Sequence, residues 1–239
     1  MGSTVRPLVP QRWIAIGDST IYGYGDPEGG GWVERLRRQW MHPDRPGPVL
    51  YNLGVRGDGV EQVQQRLEAE FRCRGELRRQ QPDVILLSVG INDSARIGSL
   101  KGRQMCPRDR FTEAIQALLQ ESKSLAPTLV IGMVPVSEAQ MPFADCLWFN
   151  HADQREYTAI TQQACEELNL PYLDLFSRWW ERGEEWWQSC LGPDGLHPNV
   201  SGYRAIYEEV QAWAPLQQLL YQPSLAAEIA SVRTRVTHL

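Results

Sequence analysis

The stretch Trp13-Ile14-Ala15-Ile16-Gly17-Asp18-Ser19-Thr20-Ile21-Tyr22-Gly23 decides how the chain is read. Its first four residues form an uninterrupted apolar run of strand length, and the run breaks at Gly17 into polar residues suited to a strand-to-helix turn. An apolar strand without alternation belongs in a sheet covered on both faces, as parallel sheets are. Runs of the same kind, rich in Val, Ile and Leu, recur at Val49 to Leu53, Val84 to Val89, Leu129 to Val134 and Tyr172 to Leu175. Between them apolar residues take helical spacing: Val60, Val63, Leu67 and Phe71; Phe111, Ile115, Leu118 and Leu119; Tyr157, Ile160, Ala164 and Leu168; and finally Tyr203, Ile206, Val210 and Trp213. Strands alternating with helices predict an α/β fold, a three-layer α/β/α sandwich around a mostly parallel five-stranded sheet of flavodoxin-like type. In such sheets ligands collect beyond the carboxyl ends of the strands, so the polar segments that follow the apolar runs are where chemistry is expected.

Composition agrees with one globular unit. Of 239 residues, 42% are hydrophobic and 22% charged, close to globular averages, so a sizeable core can form and disorder is disfavoured. Neither a Gly/Ser-rich nor a Pro-rich linker divides the chain, which reads as one domain over residues 1–221 with an appended segment, 222–239, whose Leu225 to Val236 suggests a helix. A formal net charge of -5 without a dense Lys/Arg block gives no electrostatic footprint for nucleic acid or an anionic membrane. The N-terminal Met1 to Gln11 shows no apolar export segment, and no stretch has the roughly 18 apolar residues of a membrane span. Five widely spaced cysteines (Cys73, Cys106, Cys146, Cys165 and Cys190) lack the paired spacing of a zinc site and suit a reduced compartment, so a cytoplasmic protein is expected.

Four polar segments close the apolar runs. Gly17-Asp18-Ser19 puts a hydroxyl at the first turn, although a lone Asp-Ser pair reads more simply as a helix cap. It is not the G-x-S-x-G elbow of α/β-hydrolases, because Ile21 stands where the second glycine belongs. The second run leads into Gly54-Val55-Arg56-Gly57-Asp58, where Gly57 offers a backbone N–H with no side chain in the way or serves as an ordinary loop glycine. Gly90-Ile91-Asn92-Asp93 follows the third run and brings a carboxamide, which by itself reads as a turn residue. Near the C-terminus, Asp194-Gly195-Leu196-His197-Pro198 sets a carboxylate three residues before an imidazole, close enough to orient it, though Pro193-Asp194-Gly195 is also a good turn. The other histidines, His42, His151 and His238, have no comparable neighbours.

In their order Ser19, Gly57, Asn92, His197, the four segments together resemble the blocks of the SGNH, or GDSL-type, serine hydrolase family over roughly Gln11 to Trp213. The resemblance implies that Ser19 is the nucleophile, His197 its base and Asp194 the orienting acid. It further implies an oxyanion hole built from the N–H groups of Ser19 and Gly57 and the side-chain amide of Asn92. Thr20 departs from the namesake motif, which has Leu there, and the segment beyond Tyr221 has no counterpart in the family's core. The implied activity is cleavage of a small-molecule carboxylic ester, of short acyl or acetyl type, through an acyl-enzyme, with no metal or organic cofactor. Two alternatives stay open: a binding module that retains the scaffold without turnover, and acyl transfer or thioester cleavage by the same residues. Four indoles, Trp179, Trp180, Trp186 and Trp187, lie just upstream of the His197 segment. On a continuous helix they would share one face, which suits packing on the sheet better than stacking on sugar or an acyl chain, and Gly183 weakens that helix.

Overall fold

The computed structural model describes residues 12–44, 47–74 and 81–221. In chain order the elements are β1 Arg12–Gly17, α1 Ser19–Tyr22, α2 Gly31–Trp40, β2 Val49–Gly54, α3 Val60–Cys73, β3 Val84–Ser88, β4 Arg96–Ile97, α4 Arg108–Leu125, β5 Thr128–Ile131, β6 Leu147–Trp148, α5 His151–Glu167, β7 Tyr172–Leu173, α6 Leu175–Glu181, α7 Glu184–Ser189, α8 Val200–Ala212 and α9 Ala214–Tyr221. The central sheet runs β2-β1-β3-β5-β7 with every neighbouring pair parallel. This is the expected five-stranded α/β/α sandwich in the flavodoxin-like strand order, which reverses direction between β1 and β3. β4 and β6 pair antiparallel in a separate two-stranded ribbon.

The unbroken apolar runs have a direct cause in the pleat, which sends successive side chains to opposite faces of the sheet. Trp13, Ala15, Leu86, Leu129 and Ile131 go to one face and meet α2 and α6 to α9, through Trp32, Leu36, Trp179, Trp187, Tyr203 and Leu216. Ile14, Ile16, Ile85, Leu87 and Val130 go to the other, under Val63, Leu67 and Phe71 of α3, Phe111 and Leu118 of α4, and Tyr157 of α5. Both faces are therefore dry, and a polar side chain can reach solvent only where a strand ends.

Three expectations need adjustment. The runs from Val84, Leu129 and Tyr172 were expected to extend to Val89, Val134 and Leu175, but the strands stop at Ser88, Ile131 and Leu173. Leu175 instead opens α6, where Asp174 caps the helix by accepting from the Ser177 N–H at 3.0 Å. Helices α2 and α9 have no counterpart among the helical patterns read from the sequence; α2 starts after a glycine in left-handed conformation, Gly30, and its first N–H, that of Gly31, is capped from a distance by Asp26 Oδ2 at 3.1 Å. The indole segment is two helices, because Gly183 turns the chain at φ 91° between α6 and α7. The seven-residue pairing survives the break: Trp179 meets Trp186 edge-on at 5.2 Å and Trp180 stacks on Trp187 at 5.9 Å. Trp179 and Trp187 are fully buried against the sheet, as the packing reading requires, and Trp180 remains exposed.

The segment 222–239, including the suggested helix Leu225 to Val236, lies outside the described residues, as does the N-terminal segment to Gln11. No helix among the described residues is long and apolar enough to cross a membrane.

Where β1 and β3 end, their backbones approach so closely that a Cβ on Gly17 would stand 1.8 Å from the Ser88 carbonyl oxygen. Relief requires the strand ends to part, since the obstacle is backbone. Gly17→Ala is expected to lower the unfolding free energy by about 1–3 kcal/mol or more, read from the urea midpoint at unchanged slope. An unchanged midpoint would show that the two strands are not locked together there.

Candidate active site

The switch between β1 and β3 opens a cleft of about 560 Å³ at the carboxyl end of the sheet, lined among others by Ser19, Gly57, Asn92, Met105, Phe143 and His197. Ser19 begins α1, a single turn capped by the buried Asp18, whose Oδ1 accepts from the Thr20 N–H and the Thr20 hydroxyl at 2.8 Å each. The Thr at position 20 thus supplies a hydrogen bond that a Leu could not.

Asp194 and His197 form a compact turn. Asp194 Oδ1 accepts from the N–H groups of Leu196 at 3.0 Å and His197 at 2.9 Å, while Oδ2 lies 2.8 Å from His197 Nδ1. A carboxylate can only accept, so the proton is on Nδ1 and the Nε2 lone pair is left to accept from the Ser19 hydroxyl, 2.9 Å away. Three residues that the sequence singled out, two of them 178 positions apart, thereby make one continuous chain of hydrogen bonds. The imidazole is buried and held from both sides, by Tyr24 at a ring separation of 4.6 Å and Phe143 at 5.7 Å, each edge-on.

Gly57 takes φ 84°, a conformation L side chains avoid, although a Cβ there would touch nothing within 4 Å. The glycine is needed for the turn, and the same turn leaves its N–H uncommitted: among the described residues neither the Ser19 nor the Gly57 N–H donates to another protein group. Asn92 opens a one-turn 3-10 helix, Asn92–Ser94, and its Nδ2 donates to the Asp58 carbonyl at 2.9 Å. One amide hydrogen fixes the carboxamide while the other remains for a ligand. Asn92 is therefore a turn residue and a cleft donor at once.

Sequence reasoning missed the scaffolding of this site. Arg66, from α3, donates to the carbonyls of Gly17 and Leu53 at 2.9 Å each and to Asp58 at 2.8 Å, tying together the ends of β1 and β2. Tyr203 donates to the Tyr24 carbonyl at 2.9 Å, bracing the loop behind the imidazole. Neither residue stands out in sequence, because an Arg and a Tyr at helical spacing read as surface and core. Of the remaining histidines, His42 is exposed, His151 lies 2.7 Å from the Val136 carbonyl, and His238 falls outside the described residues. No cluster of three metal-ligating side chains occurs among the described residues, and all five cysteines are free.

With this geometry, similarity to known proteins becomes informative. A model of the GDSL-like lipase/acylhydrolase family matches residues 15–205. The chain belongs to that family. The SGNH-type ester hydrolase suggested by the sequence motifs is the same assignment. A GDSL esterase/lipase of Arabidopsis thaliana is 27% identical over 156 residues, which make up 58% of this chain and 64% of that protein, so the chain matches less than two thirds of that relative. Among solved structures, a lipase/acylhydrolase from Enterococcus faecalis superposes with a TM-score of 0.63 at 21% identity, covering 84% of this chain and 95% of the other. An acetyl xylan esterase from Geobacillus stearothermophilus gives 0.63 at 19% identity, covering 91% and 98%. At these identities the structural matches speak for the fold.

The cleft region holds carboxyls of opposite behaviour, Asp194 half-buried and Asp18 and Asp93 buried. Burial would raise the Asp194 carboxyl, but the bonds from the His197 ring, the His197 N–H and the Leu196 N–H outweigh it and bring its pKa down to about 2. Burial prevails at Asp18, despite the Thr20 bonds, and at Asp93, despite the Val60 N–H, and pushes each up to about 6. The signs differ accordingly. Asp194 stabilises the fold above its unfolded pKa and loses that contribution as pH falls from about 4 to about 2; Asp18 and Asp93 favour folding below about 4 and lose it as pH rises through about 6. Asp93→Asn removes one such ionisation, so the drop in stability from pH 4 to pH 7 should shrink by up to about 3 kcal/mol relative to wild type. Urea denaturation at several pH values checks this, and parallel curves for the two proteins would show that Asp93 titrates as it does in the unfolded chain.

Proposed function

We propose that the protein hydrolyses a small carboxylic ester with a short acyl group through an acyl-enzyme formed on Ser19. The observation that carries the reading is the continuous chain Ser19 Oγ, His197 Nε2, His197 Nδ1, Asp194 Oδ2, with spacings of 2.9 and 2.8 Å, ending at an open cleft. His197 takes the Ser19 proton as Oγ attacks the carbonyl carbon, and Asp194 stabilises the imidazolium that results. The carbonyl oxygen becomes an oxyanion facing three donors: the N–H groups of Ser19 and Gly57 and the Asn92 amide hydrogen not used on Asp58. Collapse of this intermediate breaks the ester C–O bond as His197 returns its proton to the leaving alcohol. Water then attacks the acyl-Ser19 with the same base and the same oxyanion donors, releasing the acid and restoring the serine.

The walls of the cleft support the preference for a short acyl group. Leu196, Phe143 and Leu147 border the cleft and belong to a small apolar cluster of their own with Ile91 and Phe149, but among the described residues no long apolar lid extends over it. An acetyl group can be desolvated there, while most of a long chain would stay in water.

A fluorophosphonate probe should label the wild-type protein and leave Ser19→Ala unlabelled, and acetyl esters should turn over faster than long-chain esters of the same alcohol. Labelling that persists in Ser19→Ala would remove Ser19 as the nucleophile. Asn92→Ala separates an oxyanion donor from a turn residue: kcat should drop on the order of 10² to 10³, about 3 to 4 kcal/mol, with KM little changed. If the variant instead melts earlier while its active-site-titrated kcat stays at the wild-type value, Asn92 has no part in the transition state.

A further inference from the structure

Two arginines border the cleft, and they differ in what surrounds their charge. Arg110 is neutralised by Glu61, whose two carboxylate oxygens take its Nε at 2.5 Å and a terminal nitrogen at 2.6 Å. Arg56 has no carboxylate partner among the described residues. Its guanidinium carbon lies 3.7 Å above the centre of the Tyr24 ring, which covers one face and leaves the in-plane N–H groups uncommitted. The stack also holds an otherwise flexible side chain in place.

The position is as informative as the charge. Arg56 directly precedes Gly57, and the Tyr24 ring beneath its guanidinium stands edge-on to the imidazole of His197. Spacings of 3.7 Å from guanidinium to ring and 4.6 Å from ring to imidazole hold the guanidinium carbon within about 8 Å of the imidazole centre, no farther than one Debye length at physiological salt. The other charged groups of the cleft are spoken for: Glu61 by Arg110, Asp93 by the Val60 N–H, and His197 by Asp194. A formal net charge of -5 gives an approaching anion no long-range attraction, so any recognition of one must be local.

We infer that Arg56 selects esters whose alcohol portion carries an anionic group, a carboxylate or a phosphate, near the ester oxygen. The inference rests on the proposed hydrolytic role of Ser19 and His197. The alcohol side is specified because His197 protonates the leaving alcohol, and the Arg56–Tyr24 stack stands beside that imidazole. The planar fork fits two oxygens of either anion, and a neutral alcohol forgoes that contact.

The test compares acetyl esters matched except in charge: meta-acetoxybenzoate, meta-acetoxyphenyl phosphate and the neutral meta-acetoxybenzamide. The kcat/KM of each anionic ester relative to the neutral one should fall about three- to tenfold in Arg56→Gln, fall less in Arg56→Lys, and decline with added salt in the wild type. The double variant Arg110→Gln/Glu61→Gln should leave the ratios as they are, because it removes both charges of a pair that is already neutral. A drop for one anion alone identifies whether carboxylate or phosphate is the group read. Turnover of all three esters with the same ratios in wild type and Arg56→Gln overturns the inference and leaves the esterase reading standing. Failure of correctly folded wild-type protein to cleave any of them overturns the esterase reading itself, and the inference with it.

Discussion

At the carboxyl ends of β1, β2 and β3 the backbone is packed to a distance that side chains do not permit, and the position of Ser19 depends on it. Gly17 meets the Ser88 carbonyl, and a Cβ on Gly54 would stand 2.1 Å from the Tyr22 amide nitrogen. With no side chains between them, the strand ends sit side by side and α1 folds directly over β2. Ser19 is thereby held two residues beyond a locked strand end. Carbonyls left over at the rim accept from Arg66, which satisfies Gly17 and Leu53 together and so removes the incentive for the ends to fray. Rigidity of this kind suits a site in which a displacement of 1 Å loses much of the rate.

The same close packing explains why carboxyls near one another behave differently. Asp18 and Asp93 are buried and receive too few hydrogen bonds to offset the loss of water, so both are pushed up to about 6. Asp194 sits in a turn made of its own neighbours, keeps part of its surface in solvent, and is held down to about 2 by three donors. The carboxylate beside the imidazole is thus the one supplied with local N–H groups. Asp18 and Asp93 serve the backbone, capping α1 and holding the start of α3.

Much of this was legible in the sequence, for identifiable reasons. Both faces of the sheet are dry, so strands appear as unbroken apolar runs, and all five were found; the polar residues closing those runs had nowhere to go but the rim. Ser19, Gly57, Asn92, Asp194 and His197 stand at strand ends or in tight turns, where each alone reads as a cap or turn residue; it is their joint order, and the family resemblance it carries, that singled them out. What stayed illegible is what depends on contacts remote in sequence. Arg66 reaches back 49 positions to the Gly17 carbonyl, and nothing in its helical neighbourhood signals that. Helix α2 begins at a glycine in a glycine-rich stretch, which reads as loop until Trp32, Leu36 and Trp40 find the sheet. The break between α6 and α7 was foreshadowed by Gly183, but the indole pairing on either side of it comes from the tertiary packing.

Closure of the site is a problem of topology, since His197 must come back across 178 positions to reach Ser19 in the first helical turn. The Asp194 turn solves the local part, orienting the imidazole through hydrogen bonds within a three-residue loop. Helix α8 solves the global part. It starts at Asn199, whose side chain caps the Ser201 and Gly202 N–H groups and also donates to the carbonyls of Ser189 and Leu191, anchoring the His197 loop to α7. One turn further on, Tyr203 reaches the Tyr24 carbonyl, and Tyr24 packs on His197. The histidine loop and the serine loop are therefore joined twice, once through the Ser19–His197 hydrogen bond and once through buried contacts that do not involve the hydroxyl. Because the second connection is independent of the hydroxyl, the imidazole keeps its place whichever way the Ser19 side chain turns.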